Sequence, residues 1–194
     1  MGLVEEFVPG KTTAFLLLVL VVAVGYTAVA EPIEDEPLDT EEVERIVVEE
    51  TNEVRTERGL RRLETDGSLR SGARSHSSDM ARHGYVGHEA NDGEHPFERY
   101  GECSDGGYAG ENVASAWYGK NFVYDEAEVP TLHLSSEREV AEHLVRAWMN
   151  SEGHRETLLN EDWEEIGVGI AVTEEDKVLA TQAFCSGPLV ADAP

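Results

Sequence analysis

Histidines and one glutamate are the residues with chemistry in reach. His154 stands in Ala147–Ile170, AWMNSEGHRETLLNEDWEEIGVGI, between the end of an amphipathic helix that breaks at Gly153 and an apolar strand. Regular elements on both sides hold such a side chain in place, which suits it to binding or catalysis. His88 closes Tyr85-Val86-Gly87-His88, outside the segment that carries His76 and His83. Glu111 lies in Gly110-Glu111-Asn112, ahead of an apolar run. Two neutral imidazoles can bind a divalent transition metal, with a carboxylate orienting a ligand or a water. Without a third ligand that site is weak and open. A glutamate beside a histidine can also act as an acid–base pair. The plainer alternative is that these groups knit loops together by hydrogen bonds, with Gly110 and Asn112 in a tight turn. His76 reads as a core-edge histidine with a satisfied hydrogen bond, and His83 as a cation near a helix C-terminus. Arg155 is expected to pair with an acid.

Standard catalytic patterns are absent. There is no H-E-x-x-H, no G-x-S-x-G and no glycine-rich phosphate loop, so zincins, α/β-hydrolases and P-loop enzymes are not indicated. Neither cysteine has an activating setting legible in sequence. Cys103 and Cys185 fit one disulfide in an oxidising exterior, with two buried free thiols as the alternative.

The elements that must position these residues follow from apolar spacing. Thr40–Arg58 reads as a helix capped by Asp39 or Thr40, with Val43, Ile46, Val47 and Val54 on one face and Gly59 as its stop. Ser68–His83 reads as a second helix, because Leu69, Ala73, His76, Met80 and His83 fall at steps of three and four. Gly84 ends it. Pro96 opens a short helix to Tyr100. Val113–Trp117 is expected as a strand. Gly119–Leu134 has no clear period and reads as a surface insertion. Ser136 and Glu139 form a capping-box pair for a third helix, with Val140, Leu144, Ala147 and Trp148 on one face. Ile166–Val172 and Val178–Cys185 read as a hairpin across a Glu-Glu-Asp turn. Trp117, Trp148 and Trp163 read as core rather than binding platforms.

Composition bounds the setting. The chain has 194 residues and a net charge of −25, with 15 Lys and Arg against 40 Asp and Glu. Phosphate binding needs basic patches, so nucleic acid is excluded as a partner. Ala14–Ala30 carries no charge and, with Thr12 and Thr13, makes a 19-residue span, near the length that crosses a bilayer. Ala28-Val29-Ala30 reads as a signal cleavage site, but Glu5 and Glu6 beside Lys11 make a poor n-region. An uncleaved single-pass anchor over residues 12–30 is therefore expected ahead of a signal cleaved after Ala30. No Lys or Arg follows until Arg45, which places the N-terminus inside and the body outside. Residues 31–39 form an acidic, proline-containing linker, 40–187 one domain, and 188–194 a tail.

Four segments, HSSDMARHGYVGH (76–88), GENVASAW (110–117), AWMNSEGHR (147–155) and IGVGIAV with TQAFC (166–172, 181–185), resemble in this order the CAP superfamily of SCP-like, cysteine-rich secretory and pathogenesis-related proteins, in its compact bacterial and archaeal form. The likeness covers roughly Glu41 to Ser186. It implies an α+β fold, a three-layer α-β-α sandwich with a central antiparallel sheet and a cleft lined by two histidines and two glutamates. By motif, His88, Glu111 and His154 match three of the four, and Ser151 stands where the second glutamate is expected. The resemblance implies an extracellular module whose cleft (His88, Glu111, Ser151, His154) takes a small molecule, a lipid or a peptide, with His88 and His154 as candidate ligands of a divalent metal such as zinc. It leaves an alternative: a metal-dependent, peptidase-like hydrolase with Glu111 as general base and His88 and His154 as its catalytic partners. A third reading is a cell-envelope protein whose partners meet the acidic surface. The acidic, arginine-over-lysine composition resembles proteins of halophilic archaea. Such a surface repels itself in dilute buffer, so the melting temperature is expected to be lower in dilute buffer than in molar KCl; a calorimetric scan showing no difference refutes this.

Overall fold

The computed structural model describes residues 37–100, 107–120 and 133–187. The expected membrane segment, most of the linker, Cys103, residues 121–132 and the tail lie outside the described residues. Among the described residues no helix is long and apolar enough to cross a membrane.

Helix α1 spans Thr40–Thr56. Asp39 is its cap: one carboxylate oxygen accepts from the N–H of Glu41 and of Glu42, each at 3.1 Å, satisfying two donors that a helix start leaves free. Strand β1 is only Glu64–Thr65. Helix α2 spans Gly67–His83 between the Asp66 cap and the left-handed Gly84. Helix α3, Pro96–Arg99, is a single turn. Then come β2 (Ala109–Trp117), α4 (Glu137–Asn150), α5 (Glu152–Leu158), β3 (Trp163–Val172) and β4 (Lys177–Ser186).

The strands lie in the order β1-β3-β4-β2. β4 pairs antiparallel with both β3 and β2, while β1 runs parallel to β3. The expected antiparallel sheet thus carries a parallel edge. Two residues are too few to show a period-two pattern, so β1 left no trace in the sequence.

β3 shows how one strand serves two layers. Its side chains alternate between faces. Ile166, Val168 and Ile170 enter a core with Val43 and Val47 of α1 and Leu144 and Trp148 of α4. Gly167 and Gly169 face α2. A Cβ at Gly167 would stand 2.2 Å from the Arg70 nitrogen, and one at Gly169 2.1 Å from the Arg74 nitrogen. The α2 backbone therefore lies directly on the sheet, with α1 and α4 covering the other face. This is the α+β, α-β-α layering. Arg55 joins the layers at one end. Its fully buried guanidinium donates to the carbonyls of Leu158 at 2.8 Å and Asn160 at 2.9 Å, at the C-terminus of α5, where a cation is favoured.

Several expectations are corrected. β2 begins at Ala109, so Gly110-Glu111-Asn112 is strand and not a tight turn. Gly110 is required there by a close approach, since a Cβ would lie 2.5 Å from the Trp163 ring. The helix break before His154 falls at Ser151, whose ψ of 126° is extended, and not at Gly153. The expected Ser136–Glu139 pair forms by half: Ser136 Oγ accepts from the Glu139 N–H at 3.3 Å, while the Glu139 carboxylate accepts from the Ser135 N–H at 2.8 Å rather than from Ser136. Arg155 donates to the Met149 carbonyl at 3.1 Å rather than to an acid.

If α2 is seated by glycine, Gly169→Ala should destabilise the protein by about 3 kcal/mol, the upper range for overpacking. Gly153→Ala, within α5 and with nothing within 4 Å of the added carbon, should cost nothing and stabilise by up to about 1 kcal/mol. Urea unfolding in molar KCl compares them; equal midpoints refute the seat.

Candidate functional site

Among the described residues β2 is an edge strand whose one neighbour in the sheet is β4. Its N-terminal half carries Glu111 and Asn112, whose side chains point to opposite faces of the sheet. Glu111 turns towards α2 and α3. Asn112 turns towards α5, where its amide donates to the His154 carbonyl at 3.1 Å and to Gln182 at 3.1 Å.

The Glu111 side chain is 2% exposed. A carboxylate taken this far out of water needs donors on both oxygens. Oε1 accepts from His88 Nδ1 at 2.9 Å, and His76 Nε2 lies 3.9 Å away. Oε2 accepts from Arg99 Nη1 at 2.6 Å and from the Tyr100 hydroxyl. Burial acts to lower Arg99, but the charge of Glu111 and the Tyr100 and Glu94 contacts outweigh it, and Arg99 is raised. Burial first, then the Glu111 charge, push the Tyr100 phenol up, so it keeps its proton and donates. Both oxygens are engaged and bulk water is excluded. Glu111 is built to orient His88, and its geometry gives no support to the general-base reading.

His88 is held from behind. The Gly87 carbonyl accepts from buried His76 Nε2 at 2.7 Å, and the His88 carbonyl accepts from Arg99 Nη2 at 3.1 Å. His76 thus has the hydrogen bond expected of it, while its Nδ1 has no partner among the described residues. With Nδ1–H directed at Glu111, the half-exposed His88 ring turns its Nε2 edge away from the carboxylate. His154 sits in the first turn of α5, and its ring centroid is 6.5 Å from that of His88. Burial, then the proximity of His88, lower its pKa, so it stays neutral. Burial likewise lowers His76 despite Glu111.

The donor set has the composition of an open metal site: two imidazoles, one backed by a carboxylate. Among the described residues no three His, Cys, Asp or Glu converge as a closed site would require. Ser151 ends α4 and opens α5, half-buried, without a side-chain cap bond. Cys185 is buried on β4; its expected partner Cys103 is outside the described residues. His83 pairs with Asp79 at 2.9 Å, and Asp79 also accepts from the Tyr85 hydroxyl at 2.6 Å. A groove of ≈ 610 Å³ lies between α1 and α2, where Glu44 and Arg74 pair at 2.6 Å; none of the site histidines lines it.

Arg99 and Tyr100 had no role in the sequence reading. The sole signal was the proline-opened turn, which places both one turn beyond Pro96 but names no partner.

Comparison with known proteins follows the same outline. The pattern of CAP, the cysteine-rich secretory protein family, matches residues 48–185. The uncharacterized protein YkwD of Bacillus subtilis (strain 168) is 33% identical over 149 residues, 76% of this chain and 49% of that protein. The chain therefore spans about half of that relative's length. Among solved structures, an outer surface protein from Borrelia burgdorferi superposes with a TM-score of 0.60 at 23% identity, covering 77% of this chain and 96% of that one. An extracellular SCP-domain protein from Bacillus anthracis str. Ames gives 0.56 at 24% identity, covering 76% and 41%. These two show the fold.

The lowered histidines set a pH dependence. An unfolded histidine has a pKa near 6.5, and those of His76 and His154 lie below it when folded. On acidification the unfolded chain binds protons first. The stability due to neutral His76 and His154 is fully present above about pH 6.5 and is lost as pH falls through the lowered folded values. In molar KCl, histidine NMR titration should show both still mostly neutral at pH 6.5; half-protonation there refutes the assignment.

Proposed function

This chain belongs to the CAP, or cysteine-rich secretory protein, family, and on that footing we propose that it is an extracellular binding module. Its cleft, around His88 and His154, takes a small ligand or a peptide and carries out no reaction on it. The observation behind this is the engagement of both Glu111 oxygens by His88, Arg99 and Tyr100. A base that must first release a buried donor is poorly placed to activate water. The same network supports binding, because it fixes one imidazole in one orientation before any ligand arrives.

A divalent metal such as zinc suits this reading. His88 Nε2 and His154 would hold it, and Glu111 would back the first of them. When bound, the ion would supply a Lewis-acidic anchor for a carboxylate or carbonyl of the ligand. Export and attachment belong to the same proposal. The uncharged stretch Ala14–Ala30 anchors the domain at the outer face of the membrane, with residues 31–39 as a spacer, and a Cys103–Cys185 bridge suits that compartment. Solved relatives described as an outer surface protein and as an extracellular protein favour this location.

Zinc titration by calorimetry in molar KCl tests the site. The parent should bind one ion, His88→Ala with His154→Ala should bind none there, and Glu111→Gln should bind roughly 10–100-fold more weakly. Equal binding by the parent and the double variant removes these ligands from the proposal.

A further inference from the structure

Gly72 is an odd choice for the middle of α2. Glycine inside a helix costs about 1 kcal/mol relative to alanine, and its backbone here is ordinary helix with no positive φ. What distinguishes the position is space. A Cβ at Gly72 would lie 2.9 Å from Tyr100 Cε1 and 3.0 Å from Tyr100 Cδ1, well inside the carbon–carbon contact distance of about 3.5–4 Å. The Tyr100 ring therefore rests directly on the α2 backbone. From that seat its hydroxyl reaches Glu111 Oε2, beside Arg99 Nη1 at 2.6 Å on the same oxygen.

We propose that Gly72 is a positioning residue for the site: the notch it leaves in α2 seats Tyr100, Tyr100 and Arg99 hold Glu111 Oε2, and Oε1 is thereby left to His88 Nδ1. The chain of contacts runs from α2 through α3 to the edge strand and ends on an exposed imidazole. Its consequence is one fixed orientation of the His88 ring, with Nδ1–H donating to Glu111 Oε1 and Nε2 on the opposite edge. The purpose of this arrangement rests on the binding reading above, but the arrangement itself is measurable without any ligand.

The test uses the full chain in molar KCl with ring-labelled tyrosine and histidine. In the parent, the Tyr100 ring carbon bearing the hydroxyl should show no ionisation up to about pH 11, since burial and Glu111 push the phenol above its ordinary range, and the His88 ring nitrogens should report one tautomer with Nδ1 protonated. In Gly72→Ala the ring is displaced, so Tyr100 should ionise nearer the ordinary value of about 10, and the His88 nitrogens should move towards the mixed pattern of a free imidazole. A folded Gly72→Ala with unchanged Tyr100 ionisation and unchanged His88 nitrogens overturns the proposal. Should Gly72→Ala lose its fold, the comparison is made in Tyr100→Ala, where the clash is absent: adding Gly72→Ala there should not lower the melting temperature further, and a further loss as large as in the parent also overturns the notch. Because no zinc or other ligand is present, a failed binding reading would appear only in the zinc titration and leave this result as it stands.

Discussion

The site depends on one carboxylate kept out of water. A buried charge left without partners costs far more than any single hydrogen bond around it returns, so every segment near Glu111 is committed to satisfying it. The segment after α2 brings His88, and α3 brings Arg99 and Tyr100. α2 offers His76 at 3.9 Å and fixes the adjoining Gly87 carbonyl. These are short or irregular stretches with few apolar residues. Their placement comes from directed polar contacts, which are geometrically demanding and work best when all are made. That accounts for an extended segment between α2 and β2 that is nevertheless held at specific atoms.

The remainder of the fold rests on apolar burial and close backbone approach. Towards α1 and α4 the sheet presents large side chains; towards α2, β3 presents Gly167 and Gly169 and β4 presents Ala183 and Cys185, with Val113 and Leu179 packed on Met80 farther along. Replacing side chains by glycine on one face of β3 brings the helix onto the strand itself, which fixes the height of α2 above the sheet and hence of His76 beside Glu111 and of Gly72 against Tyr100.

Legibility in the sequence followed this division. Elements defined by repeated apolar spacing, α1, α2, α4 and the β3–β4 hairpin, were readable nearly to their ends, because burial periodicity and caps are local signals. Asp39, Gly84 and the Thr173–Lys177 turn behaved as such signals do. β1 was invisible because it is two residues paired to a strand about a hundred positions away. The boundary at Ser151 was misplaced onto Gly153 because glycine is the stronger local breaker, whereas here an extended serine turns the chain. His88, Glu111 and His154 were legible as a group only through the likeness of their surrounding segments to a family. Arg99 and Tyr100 were not, since nothing local distinguishes an arginine that meets a buried carboxylate from one on the surface. Gly110-Glu111-Asn112 was read as a turn on residue type, and tertiary pairing with β4 overrode that preference.

That last correction explains the spacing of the two histidines. They hang from independent supports. His88 is held through the Glu111 side chain on one face of β2. His154 is held through its own carbonyl by the Asn112 side chain on the other face, within a helix whose far end is fixed by Arg55 and by the Trp163 indole donating to Thr157 at 2.6 Å. Glu111 and Asn112 are consecutive, so the pleat of a single strand sends one support to each side of its edge. The 6.5 Å between the rings is therefore set by strand geometry rather than by any contact between the histidines themselves. A turn at these positions would leave both side chains free to share a face. A strand cannot, and its register opposite Ala183 and Gln182 keeps the acid with its donors and the amide with the α5 backbone. The separation of the imidazoles is thus as stiff as the sheet, which is the property a preformed binding site requires.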